Sequence, residues 1–345
     1  FSTNFSLYGD MSSRVMSIIS QAIPSYEIYS IDEAFLDLSD VGTRVDFCDT
    51  LSLSIKKSTG IPISIGIGSS KTLAKAANYI AKTLDVGNIF QINNLNHMSI
   101  LMDIPISKVW GIGSRSASML IKYGVRSAYD FISLRSDWVR STMSISGLRT
   151  MRELRGEVCY GISNIPSHKQ SIRTSRSFAD KISDRKSVEG FISEYASSCA
   201  EKLRKEGSCA RRVTVFIYTD PFSSGSSYRG IKGSFFETPT DDSIEIVQAS
   251  ISILKSIFRD GYSYKKAGVI VSDIVPSSSV QMNIFDATSI RERRQRLMKA
   301  VDCVNRVNGK GSVRLSSFKQ KKMHLKQQNL SPSYTTSWND LLVVS

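Results

Sequence analysis

Between Gln170 and Val275 the chain runs twice through one pattern, strand then helix then strand, and that repetition limits the folds open to it. The first helical stretch spaces Val188, Phe191, Tyr195, Cys199 and Leu203 three and four apart. The second does the same with Ile244, Val247, Ile251, Leu254 and Phe258, so each helix offers one apolar face. Two such units bury those faces by laying both helices on one side of a four-stranded sheet, as ferredoxin-like folds do.

At 345 residues the chain exceeds the roughly 250 to 300 at which a single core stops growing, so two or more domains are expected. The first hundred residues interleave helix and strand. A helical pattern from Ser12 to about Ile23 leads into a hairpin within Glu27 to Leu38; then come a helix from Leu51 to Ser58, a strand from Ile61 to Ile67 and a helix from about Ser70 to Leu84. That order reads as α/β. From about Met98 to Gly161 helical segments are separated by turns at Gly111, Gly113, Gly124 and Gly147, which suggests a small all-helical domain. Asn164 to His168 reads as a linker. Beyond Pro276 lie a Ser-rich break, a short apolar motif, a basic helix near Ser289 to Val307 and a polar tail expected to pack weakly.

Lys and Arg number 45 against 31 Asp and Glu, a net charge of +14 that favours a polyanionic partner, nucleic acid first among them. Five widely spaced cysteines without a Cys-x-x-Cys pair fit a reducing cytosol. No apolar run approaches the roughly 20 residues of a membrane span, so a soluble protein is expected. His97, His168 and His324 are scattered and suggest no histidine metal site.

The adjacent acids Asp32 and Glu33 sit among apolar residues of high strand propensity in YSIDEAFLDL. Unpaired carboxylates in a buried strand are costly, and adjacent ones suit a divalent metal held by oxygen, Mg²⁺ being the expected ion. The pattern alone also allows them to cap a turn at a strand end. Asp37 reads as an exposed or locally hydrogen-bonded acid. In the helix after IPISIGIG, Lys71, Lys75, Asn78 and Lys82 share one face, while Leu73, Ala77, Ile80 and Leu84 share the other. Three lysines on one face repel one another unless acids or an anion lie opposite, so a triphosphate or a DNA backbone is one occupant and a solvated face the alternative. GIGSSKT fails as a P-loop because Ile65 and Ser70 stand where glycine is needed. In VWGIGSRSASML, Gly111 and Gly113 open a helix whose N-terminal amides suit a phosphate.

Together, YSIDEAFLDLSD, SIGIGSSKTLAKAAN, VWGIG, MRELRGE, AEKLR, YKKAGV, QMNIF and LSPSYTT resemble, in order and over essentially the whole chain, the UmuC branch of the Y-family lesion-bypass DNA polymerases. The resemblance implies an α/β and α+β multidomain protein. Residues 1–100 would be an incomplete palm, 101–165 a small helical thumb with a helix-hairpin-helix, 168–276 a ferredoxin-like little finger, and 277–345 a clamp-binding peptide and tail. It further implies error-prone, template-directed nucleotidyl transfer in the SOS DNA-damage response. Asp32 and Glu33 would hold two Mg²⁺ ions, and Lys82 would contact the incoming dNTP. Lys71, Lys75, Gly111, Gly113, Arg173, Arg176, Arg211 and Arg212 become candidate DNA contacts, and Gln281, Met282, Asn283, Ile284 and Phe285 a sliding-clamp peptide. Primer-template DNA, the clamp, a UmuD-type subunit and a RecA filament are the implied partners, with no membrane, in a bacterial cytoplasm at the nucleoid. The family's first motif, an Asp followed closely by aromatics, would lie before Phe1. The expectation is therefore an N-terminally truncated chain, inactive as written. The rival readings are a catalytically inactive fragment that binds DNA and clamp, and a nucleotidyl cyclase sharing the palm fold.

Overall fold

The computed structural model describes residues 2–83, 87–164, 168–223, 227–281, 288–309, 311–314 and 329–341. The chain forms two compact units, one of Phe1–Pro166 with Asn329–Ser345 and one of Ser167–Gln328.

In the first unit, α1 (Phe5–Ala22) is capped by Asn4, whose Oδ1 accepts from the Leu7 amide at 3.1 Å. β1 (Tyr26–Ile28) and β2 (Ala34–Leu36) form the expected hairpin, although each strand is only three residues long. α2 (Arg44–Thr59) starts earlier than its sequence pattern and packs Leu51 and Ile55 against Met16, Ile19 and Ile23 of the α1 segment. β3 (Ile65–Ile67) pairs in parallel with β4 (Ile89–Gln91) through α3 (Lys71–Thr83), a β-α-β unit. Gly66 is required there: a Cβ on it would lie 2.1 Å from the Asn78 amide nitrogen, so only glycine lets α3 lie this close to β3. Helices α4 (His97–Asp103), α5 (Ser114–Lys122), α6 (Ala128–Ile132) and α7 (Ser136–Leu154) follow. Their buried Leu101, Leu120, Phe131, Met151 and Leu154 share one core with Leu73, Ala77 and Ile80 of α3. The helical segment and the β-α-β unit are thus cemented together, with no separate core at the expected boundary near residue 100.

The second unit follows the predicted order: β5 (Ser171–Ile182), α8 (Arg185–Lys205), β6 (Ser208–Thr219), β7 (Arg229–Thr240), α9 (Ser243–Ile257) and β8 (Tyr264–Pro276). The sheet is antiparallel throughout, in the order β5-β8-β6-β7. On α8 the predicted stripe is buried as read. On α9 it is rotated: Ile246, Ser250, Ile253, Leu254 and Ile257 face the core, while Ile244, Val247 and Ile251 are only half-buried. This helix is apolar on most of its circumference, so spacing allowed either stripe and the packing partner chose.

Beyond the sheet, α10 (Thr288–Val307) buries Met298 and joins α8 through Arg204, whose guanidinium meets both Asp302 oxygens at 2.7 Å. Residues 329–341 of the tail bury no side chain, Trp338 being 90% exposed, and meet the first unit through hydrogen bonds. Asn4, 3% exposed, donates through Nδ2 to the Ser331 carbonyl at 3.0 Å, and the Ser2 amide donates to Asn329 O at 2.7 Å. Hydrogen bonds to the buried Asn4 thus hold a segment whose apolar Leu330, Tyr334, Trp338 and Leu341 stay exposed. Among the described residues no helix is long and apolar enough to cross a membrane.

Candidate active site and nucleic-acid interface

Asp32 and Glu33 lie in the turn between β1 and β2, not within a buried strand. Both the Tyr29 and Ser30 amides donate to Glu33 O at 3.0 Å, closing the turn. Asp32 is exposed and accepts from the Ser30 hydroxyl at 2.6 Å. Glu33 Oε1 meets Lys75 Nζ at 2.5 Å, and Glu27 Oε2 meets Lys71 Nζ at 2.6 Å. Burial raises the Glu27 carboxyl, but hydrogen bonds from Lys71 and the Ser163 amide outweigh it and hold the group below the usual carboxylate range. Asp37 is exposed and takes both the hydroxyl and the amide of Ser39, which lower its pKa.

The α3 lysines therefore do not form one open cationic face. Lys71, 9% exposed, is engaged by Glu27 and lies 5.0 Å from the Phe35 ring centroid, so it braces the hairpin and is not placed to meet a DNA backbone. Lys75 faces Glu33, and Asn78 Nδ2 donates to Ser64 O at 2.6 Å. Lys82, in the last turn, is exposed. Leu84, read as a core residue, lies outside the described residues.

Sequence reasoning did not single out Trp110, which packs on this hairpin, or Glu153, which anchors the start of α3. Trp110 of the Gly-x-Gly turn sits edge-on to Tyr29, Phe35 and Tyr160 at 5.7, 5.7 and 5.9 Å, and its Nε1 donates to the Tyr29 hydroxyl at 3.3 Å. Glu153 is fully buried at the N-terminus of α3. Its Oε2 accepts from the Thr72 amide and hydroxyl and its Oε1 from the Cys159 and Tyr160 amides, all at 2.9 Å. An internal carboxylate thus occupies the helix N-terminus where a P-loop would hold phosphate. The signal was present as an acid between Met151 and Leu154 in an otherwise core-facing stretch.

Gly111 has φ 89°, and a Cβ there would lie 2.7 Å from Thr150 Oγ1, so both backbone and space demand glycine. Gly113 caps α5 without a side-chain hydrogen bond and is open to solvent. A groove of about 840 Å³ runs beside the hairpin, lined by Phe35, Leu36, Ile67, Lys71 and Tyr160 among others.

In the second unit, the sheet face away from the helices carries arginines laid on aromatic rings. Arg173 lies 4.5 Å from the Phe216 centroid, Arg212 5.2 Å from Phe235, and Arg229 5.7 Å from Tyr218. Such stacking holds each guanidinium flat while leaving its N–H groups for an anion. Of the expected contacts, Arg173 and Arg212 fall on this face and Arg229 joins them. Arg211 lies at a register shift between Ala210 and Arg212, and Arg176 shares the strand parity of Ile172 and Thr174, on the helix-covered face near Tyr195. Gln281 is exposed, and Met282, Asn283, Ile284 and Phe285 lie outside the described residues.

Among the described residues no three or more His, Cys, Asp or Glu side chains form a metal-binding group. Asp32 and Glu33 are adjacent carboxylates in a surface turn, oxygen donors of the kind a hard divalent cation takes.

Residues 1–79 match the impB/mucB/samB family, residues 169–284 the impB/mucB/samB family C-terminal domain, and residues 295–344 a domain of unknown function (DUF4113). The chain is 36% identical to Protein UmuC of Salmonella typhimurium across all of its own length and 83% of the relative's. It is 35% identical to Protein ImpB of the same organism, over 99% of this chain and 82% of that one. Against DNA polymerase IV of Desulfatibacillum aliphaticivorans the identity is 26%, over 89% and 76%. A Y-family DNA polymerase chimera shares the fold, with TM-score 0.58, 19% identity and coverage of 78% of this chain and 76% of that one. Family matches in both units, together with this full-length identity, place the chain in the impB/mucB/samB family, the UmuC branch of the Y-family DNA polymerases.

Proposed function

We propose that this chain performs the family's error-prone lesion-bypass DNA synthesis, with the β1-β2 turn as its metal site and the arginine-aromatic sheet face as a DNA backbone clamp. Residues 1–100 act as palm, 101–165 as thumb, 168–276 as little finger, and 277–345 as clamp peptide and tail. The observation that carries the reading is the hairpin turn. It presents two adjacent carboxylates at the surface, braced from behind by Trp110, Tyr29 and Lys71.

Asp32 and Glu33 would hold two Mg²⁺ ions together with the carboxylate of the family's first motif. Mg²⁺, when bound, lowers the barrier to attack by the primer 3′-hydroxyl and stabilises the leaving pyrophosphate. Lys75 neutralises Glu33 in the absence of metal and stands ready to pair with a phosphate once Glu33 turns to the ion. Lys82 meets the incoming dNTP from the last turn of α3. Gly111 and Gly113 bring backbone amides to a DNA phosphate, and Arg173, Arg212 and Arg229 hold the duplex without reading its sequence. Clamp binding through Gln281–Phe285, a UmuD-type subunit, a RecA filament and a cytoplasmic site at the nucleoid follow from the same reading.

Primer extension tests it. In a protein that carries the family's first motif, Asp32→Asn or Glu33→Gln should abolish extension and leave primer-template affinity within about 2-fold, since the carboxylates serve metal and not DNA. Retained extension refutes the assignment.

A further inference from the structure

We propose that α10 is a second DNA-backbone contact, outside the polymerase core, in a region whose family match carries no function. The inference rests on the reading of the second unit as a DNA-binding body.

The argument begins with how the helix is docked. Arg204 chelates Asp302, Arg294 Nη1 lies 2.9 Å from Glu245 Oε1, Arg291 Nη2 donates to Pro239 O at 2.5 Å, and Met298 is 1% exposed. Positions 291, 294, 298 and 302 fall within about 80° of the helix circumference, so one face is fixed to the body by charge and by an apolar peg. Arg293, Arg296, Lys299 and Arg306 then fall within an adjoining arc of about 140° that begins about 40° beyond Asp302, and all four are exposed. Asp302 is turned inward, which leaves Glu292 as the acid within that arc and a net outward charge of three.

Like charges gathered on one side of a docked helix repel, and the repulsion is relieved when an anion binds. Three of the four are arginine, whose planar fork suits phosphate. They span about 20 Å along the axis, the rise of roughly six base pairs, which a duplex backbone matches and a single small anion does not.

The test replaces Arg293, Arg296, Lys299 and Arg306 by alanine and measures affinity for a primer-template with an extended duplex across a salt series. Each lost phosphate contact removes about 0.9 from the slope of log K against log salt, so the slope should become shallower by about 3 to 4. A companion protein with Arg293→Lys, Arg296→Lys and Arg306→Lys should keep the parental slope, because charge and fold are both retained. The exposed Cys303, on the same arc, carries an aryl azide in a second arm and should crosslink to the duplex on illumination. An unchanged slope in the alanine variant, or no crosslink from Cys303 while the protein remains bound to DNA, overturns the proposal alone. If the parent protein fails to bind primer-template at any salt, the polymerase reading falls with it.

Discussion

Glu153 should be the most sensitive single residue of the first unit. It is fully buried, and four donors converge on it: three amide N–H groups and the Thr72 hydroxyl. Glu153→Gln keeps the volume but replaces one acceptor oxygen by an NH₂ group. The Thr72 hydroxyl can turn to accept, whereas the Thr72 amide cannot, so at least one buried N–H is orphaned and the remaining bonds lose their charge assistance. An orphaned buried donor costs about 1 to 3 kcal/mol, which gives about 2 kcal/mol for the amide variant. Glu153→Ala strands three amides, and partial water entry limits the cost to about 4 kcal/mol. The assay is selective because Trp110, Trp138 and Trp338, all the tryptophans of the chain, belong to the first unit. With a urea slope of about 2 kcal/mol per M, tryptophan fluorescence should place the midpoints about 1 M and about 2 M below the parent. Equal shifts for Gln and Ala, or a shift of less than about 0.3 M for either, would refute the accounting of donors.

On the sheet face, Arg173→Ala, Arg212→Ala and Arg229→Ala together should flatten the salt dependence of primer-template binding by about 3 in slope, with little change in sequence preference; an unaltered slope would move the DNA to another face. Replacing Gln281, Ile284 and Phe285 by alanine removes a polar anchor and two apolar anchors, each apolar one worth roughly 1.5 to 3 kcal/mol when buried. Binding to an immobilised sliding clamp should collapse while extension on short templates without clamp is unchanged, and parental clamp binding would reassign the peptide to tail packing. Burial pushes the Cys48 thiol up to about 11 and the Cys209 thiol to about 12, whereas Cys303 is exposed. At pH 8 the Cys48 thiolate is roughly a thousandth of the total, so a disulfide reagent should label Cys303 at once and Cys48 and Cys209 only on unfolding. Rapid labelling of Cys48 in the native protein would contradict its burial.

Residue pattern alone carried the order of elements. The second unit's strand-helix-strand repeat, the β1-β2 hairpin and the basic helix at Thr288–Val307 were legible because each rests on local spacing and turn chemistry, which act within a few residues. The acid pair was legible too, but YSIDEAFLDL, with strand propensity on both sides of it, left open whether the pair sits in a buried strand or a turn at a strand end, and the structure puts it in the turn. What only the tertiary structure decided were pairings across distance. Lys71 and Lys75 became braces for Glu27 and Glu33, partners more than forty positions away in sequence. Glu153 became the anchor of a helix it does not belong to. Arg173 and Arg176 parted to opposite faces because a strand alternates its side chains, and burial decides which parity meets the core. On α9, apolar over more than half of its circumference, the partner chose the stripe. Local pattern fixes which elements form, because backbone hydrogen bonds and turn residues are near neighbours. The use to which a charged side chain is put depends on which distant group the fold brings within about 3 Å of it, and no sequence window contains that distance.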